Sequence, residues 1–128
     1  MDWVWKSNSR VDVDNWQMAK KQILASEGLA AIENRDLPMA TRYLLQQLER
    51  LAPGGTVELR VPPYGAIQCI EGMDHRRGTP PNVVEIDPEL FLKLCLGELS
   101  FDAAVSLGQV SFSGAQAHEV AKLFPLAL

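Results

Sequence analysis

The chain has 128 residues, 47% of them hydrophobic and 22% charged, with a formal net charge of −4 and a pI near 5.1. That length fits one domain and leaves little room for two. The acidic balance excludes nucleic acid as the main partner, because phosphate binding relies on a concentrated excess of Lys and Arg.

Residues 1–13 are mixed and polar apart from Trp3 and Trp5, and read as a poorly ordered lead-in to a domain over 14–128. Asp14 or Asn15 supplies a helix cap, since a short side-chain oxygen accepts the free N–H groups of an opening turn. Trp16, Ala19, Ile23 and Leu24 then recur at helical spacing. Gly28 weakens that helix, and Leu29 to Ile32 extend it. A second helix follows Asp36, its apolar stripe made by Leu37, Ala40, Leu44, Leu48 and Leu51 in steps of three and four. Pro53-Gly54-Gly55 ends it.

The period then changes to two. Val57, Leu59 and Val61 alternate with Glu58 and Arg60, the pattern of a strand with one buried face. Pro62-Pro63-Tyr64-Gly65 breaks the strand, and Ala66–Ile70 forms the next. A polar loop, Glu71–Pro81, carries Asp74, His75, Arg76 and Arg77. Asn82–Ile86 is a third strand.

Asp87-Pro88-Glu89 is a helix start: a cap, a proline at the first position and an acid near the positive dipole end. Leu90, Phe91 and Leu94 give it an apolar face, and Gly97 stops it. Ser100 caps a short helix through Val105. Val110 and Phe112 alternate with Ser111 and Ser113 in a last strand, and an amphipathic helix with Val120, Leu123 and Phe124 closes the chain. Helices first, then strands, then short mixed elements imply an α+β domain. Its sheet is mostly antiparallel, with helices packed over one face.

The C-terminal third, Gly97-Glu98-Leu99-Ser100, Ala104 and Gly108-Gln109-Val110-Ser111-Phe112-Ser113-Gly114, resembles the ending of sterol carrier protein domains. Val61–Gln68 and Arg77–Glu85, each centred on a proline pair, resemble the bacterial orthologue branch of that family. The resemblance runs from about Arg10 to the C-terminus. It implies helices over a sheet with an apolar tunnel between them that takes up sterols, fatty acyl chains or related lipids. The family sheet usually has five strands and four can be placed here, which leaves room for a smaller or closed tunnel.

On that resemblance, Ile67, Val84, Ile86, Leu90, Phe91, Leu94, Phe112, Leu123 and Phe124 are the candidate tunnel lining. Taken one residue at a time, the list reads first as a filled core, since such residues are mostly just buried; the family's tunnel, not the periodicity, raises the lining reading. His75, Arg76 and Arg77 are candidates for an anionic head group, because Arg offers a planar fork of donors to a carboxylate or phosphate. The competing reading is a solvated loop paired to Asp74 or Glu71, with Arg77 bracing Glu85 if that carboxylate is buried.

Catalysis finds little support. Ser100, Ser111 and Ser113 lack the Gly-x-Ser-x-Gly elbow, and nothing brings Cys69 or Cys95 to His75 or His118. No cofactor loop, zinc spacing, membrane span or secretory leader is legible. The sequence therefore predicts a cytoplasmic, non-enzymatic carrier of an apolar small molecule with two reduced thiols, without stable membrane insertion. Two rivals stand beside it: a protein-interaction module with a closed cavity, and an enzyme using the Arg-rich loop.

Overall fold

Residues 22–72 and 82–128 are described in the computed structural model. Helix α1 is Ala25–Glu33 and α2 is Leu37–Leu51. Ile23 and Leu24, expected in a helix, instead lead into α1 as extended chain, with Leu24 at φ −72°, ψ 151°. The reason lies in the Gln46 side-chain amide. It accepts from Ile23 N–H at 3.0 Å and donates to the Ile23 carbonyl at 2.9 Å. Both backbone groups of Ile23 are thus satisfied without helical bonds.

Gly28 sits inside α1 rather than at its end, and it is buried. A Cβ there would run into the ring of Tyr43 on α2. The glycine is what lets α1 lie close against α2.

The stripe on α2 is as expected over most of its length. Ala40, Leu44 and Leu48 are fully buried, while Leu51 at the helix end is 64% exposed. Asp36 caps the helix, accepting from Met39 N–H at 3.5 Å.

The four strands are β1 Val57–Val61, β2 Gly65–Cys69, β3 Asn82–Ile86 and β4 Val110–Ser113, in the order β2-β1-β3-β4. β1 pairs antiparallel with β2, and β3 antiparallel with β4, but β1 and β3 run parallel. Val57 faces both Cys69 and Asn82, so the connection 70–81 leaves and returns beside the start of β1. The register lays Ile67, Leu59, Val84 and Phe112 in one row across the sheet. Its flanking residues Val57, Val61, Cys69 and Ile86 share that buried face. Glu58, Arg60, Gln68, Glu85, Ser111 and Ser113 take the other. Glu85 is exposed there, so the premise for a buried Glu85–Arg77 brace is not met.

Helix α3, Pro88–Leu96, starts at Asp87, which accepts from Glu89 N–H at 3.1 Å. It ends at Gly97, left-handed at φ 77°. Helix α4, Phe101–Ser106, is capped by Ser100. The expected terminal helix is a 3₁₀ segment, Ala117–Leu123. Phe124 is already extended at ψ 144°, because Pro125 disfavours the α conformation in the residue before it. α2 packs against β2 and α3, and Phe91, Leu44, Leu48, Leu59 and Ile86 fill the space between helices and sheet.

This packing sets propensity against sterics at Gly28. Ala would favour the helix by about 1 kcal/mol, but overpacking against Tyr43 costs about 1–3 kcal/mol. We expect Gly28→Ala to lower stability in urea unfolding, and Tyr43→Leu in the same chain to recover part of the loss.

Candidate ligand-binding site

All four phenylalanines of the protein meet in one chain of rings. Phe91 of α3 meets Phe124 edge-on, with centroids 6.2 Å apart. Phe124 stacks on Phe101 of α4 at 5.9 Å, and Phe101 meets Phe112 of β4 at 5.8 Å. Phe112 then stacks on His118 of the 3₁₀ segment at 4.4 Å, with the rings 15° from parallel. The series runs from the fully buried Phe91 to the exposed His118. Offset and edge-on pairs at these distances are the favoured aromatic geometries.

Beside the Phe101–Phe124 stack lies an open pocket of about 370 Å³. Leu94, Gly97, Leu99, Ser100, Phe101, Asp102, Ala121, Phe124 and Pro125 line it. Three local features converge to make it. α3 stops at Gly97, α4 starts at the Ser100 cap, and the tail is tied down by Leu126 N–H donating to the Cys95 carbonyl at 2.9 Å. Leucine, proline and phenylalanine contribute most of the lining side chains, and Ser100 and Asp102 are the polar ones among them.

A second concavity, about 460 Å³, lies across the 3₁₀ segment. It is an open groove lined by Leu51, Ala52, Pro53, Ile70, Glu71, Glu119, Lys122 and Leu123. Ile70 at its edge has φ 69°, an unfavourable conformation for a β-branched residue. Bonds on both sides hold it there: Ile70 N–H donates to the Ala52 carbonyl at 2.7 Å, and Thr56 N–H donates to the Ile70 carbonyl at 3.0 Å. Lys122 pairs with Glu119 at 2.7 Å on the groove wall.

The candidate lining residues are divided by this arrangement. Leu94 and Phe124 line the pocket and Leu123 lines the groove, while Phe112 lines neither and only meets the ring of Phe101. Ile67, Val84, Ile86, Leu90 and Phe91 are buried in the core and line neither concavity. His75, Arg76 and Arg77 lie outside the described residues. The chain leading to them leaves from Ile70 and Glu71, on the groove side of the 3₁₀ segment. Leu99, Phe101, Ala121 and Pro125 are pocket residues that sequence reasoning missed. Phe101 directly after a capping serine was the one available signal, a large apolar side chain in the first turn of a short helix.

Among the described residues, no three His, Cys, Asp or Glu side chains converge as a metal-binding group, and no helix is long and apolar enough to cross a membrane. The family model described as "Bacterial SCP ortholog" matches residues 33–126, a span that includes both concavities. No curated protein matches the chain.

Both cysteines are free and buried. Burial, reinforced by the charge of Glu49, pushes the Cys69 thiol up to about 11. Burial alone pushes Cys95 upward as well. Only roughly one Cys69 in a thousand is then thiolate at pH 8, and the thiolate is the reactive form. We expect a thiol reagent at pH 8 to modify neither cysteine in the folded protein over minutes, and both in denaturant without reductant.

Proposed function

Because the chain belongs to the bacterial SCP ortholog family, we propose that it is a non-catalytic carrier that holds an apolar small molecule in the pocket beside Phe101 and Phe124. The observation that supports this most directly is the aromatic floor of that pocket. Its volume falls within the ordinary range of ligand sites, which runs from about 300 to 1,000 Å³. Binding draws on burial, at about 25 cal/mol per Å² of apolar area, or about 0.8 kcal/mol for each methylene covered.

The rim decides the head group. Asp102 is the charged residue among those lining the pocket, and it is exposed. A carboxylate ligand would meet repulsion there, whereas Ser100 and Asp102 can both serve a hydroxyl. The reading is therefore a neutral amphiphile, such as a sterol or long-chain alcohol. A second reading places a fatty acid in the groove, because the loop carrying His75, Arg76 and Arg77 leaves from Glu71 at the groove's edge.

Two substitutions separate these readings. Ala121→Phe fills the pocket and leaves the groove lining intact. We expect it to weaken a long-chain alcohol by at least about tenfold, equivalent to 1.4 kcal/mol, as measured by titration and native mass spectrometry. Changing Arg76 and Arg77 together to Ala should leave that alcohol untouched. Loss of fatty-acid affinity by one to two powers of ten in the arginine variant, with the alcohol unbound by the wild type, would instead favour the groove. Binding of neither ligand by wild-type protein would favour an interaction module.

A further inference from the structure

One row of residues on α3 leads from the pocket into the core. Phe91, Leu94 and Gly97 step by three along that helix and just past its end, so each neighbours the next on one face. Gly97 and Leu94 line the pocket, but Phe91, the next in the row, does not. The ring of Phe124 accounts for the difference. It lines the pocket and meets Phe91 edge-on at 6.2 Å, while Phe91 itself is fully buried. Phe124 is therefore the partition between the pocket and the part of the core to which the row leads.

The backbone on both sides of Phe124 holds the ring in that place. Phe124 N–H donates to the Ala121 carbonyl at 3.4 Å, and two residues later Leu126 N–H donates to the Cys95 carbonyl at 2.9 Å. Cys95 belongs to the last turn of α3, where the helix provides no donor of its own for its carbonyls. The chain is thus fastened before and after its side chain, which can be shortened without releasing the segment.

We propose that Phe124 sets the length of ligand the pocket accepts. A chain whose hydroxyl stands at Ser100 and Asp102 runs along Gly97 and Leu94 and ends against the Phe124 ring. This rests on the carrier reading above and adds to it a limit on chain length. Up to that limit each methylene is covered by the pocket. Beyond it each further methylene stays in water, because Phe124 closes the way to Phe91.

A series of straight-chain primary alcohols reads the limit directly. Affinity for the wild type should rise about fourfold with each methylene covered, the equivalent of 0.8 kcal/mol, and then level off. In Phe124→Ala the levelling should come about two to four methylenes later, the space of a phenyl ring less partial collapse. Phe124→Leu should fall between the two. A second measurement needs no variant to fold well. In the wild type, the terminal methyl of the longest covered alcohol should show nuclear Overhauser contacts to the Phe124 ring and none to Phe91. In Phe124→Ala the terminal methyl of the longer alcohols should reach Phe91.

Levelling at one and the same length in the wild type and both folded variants would overturn the assignment while leaving the carrier reading intact. So would a terminal methyl that makes no contact with Phe124 in the wild type, and this contact decides the matter if the variants unfold. Absence of alcohol binding by the wild type overturns the carrier reading and the assignment together.

Discussion

The side chain of Asn82 holds the architecture together. It is 2% exposed and makes two bonds across long stretches of chain. Its amide donates to the Thr56 carbonyl at 2.9 Å, and its oxygen accepts from Gln116 N–H at 2.8 Å. The first bond fixes the start of β3 beside the start of β1, where Val57 and Asn82 are partners in the parallel ladder. The second seats the residue from which the 3₁₀ segment begins. A buried amide that loses its partners costs about 1–3 kcal/mol for each unsatisfied group, and in this register both the amide and the oxygen of Asn82 are satisfied. One buried polar group thus helps fix both the alignment of β3 beside β1 and the position of the C-terminal segment.

The 3₁₀ segment so placed divides the free space on the helix side of the sheet. Ala121 and Phe124 face the pocket, and Glu119, Lys122 and Leu123 face the groove. The interior between them is filled. Phe91, Leu94, Leu59, Val84 and Ile86 are each at most 1% exposed, as expected of a close-packed core. Room for a ligand is found where elements end: at Gly97 and Ser100 on one side, at Pro53 and Ile70 on the other. Helix ends leave space because no further turn is there to fill it.

Much of the fold was legible in the sequence because period and punctuation are local. The α2 stripe, the alternation of Val57, Leu59 and Val61, the Asp87-Pro88 start and the Gly97 stop all appear where the residues place them. What escaped depends on partners distant in sequence. Ile23 and Leu24 have helical spacing, yet Gln46, twenty-three positions from Ile23, holds that residue in extended chain. Gly28 looks like a breaker until Tyr43 is set beside it. The parallel pairing of β1 with β3 is reinforced by Asn82, whose bonds no local pattern reports. The candidate site was legible only in part for a different reason. Core and pocket wall demand the same apolar side chains, so Phe91 and Phe124 look alike in sequence, although one is buried in the core and the other lines the pocket.

The polar face of the sheet bears on the side from which the proposed ligand would approach. Glu58 and Arg60 form an ion pair there, and Gln68, Glu85 and Ser111 are exposed around it. That surface offers an apolar molecule nothing to bury against. Both concavities border the 3₁₀ segment, away from that polar face. This element is short, has 3₁₀ hydrogen-bond geometry, which is poorer than that of an α-helix, and is fastened at its ends. Asn82 holds Gln116 before it, and the Cys95 carbonyl holds Leu126 after it. The Phe112–His118 stack adds a contact to the sheet. The two concavities are bounded by different residues of this one fastened element: Ala121 lines the pocket, and Glu119, Lys122 and Leu123 line the groove.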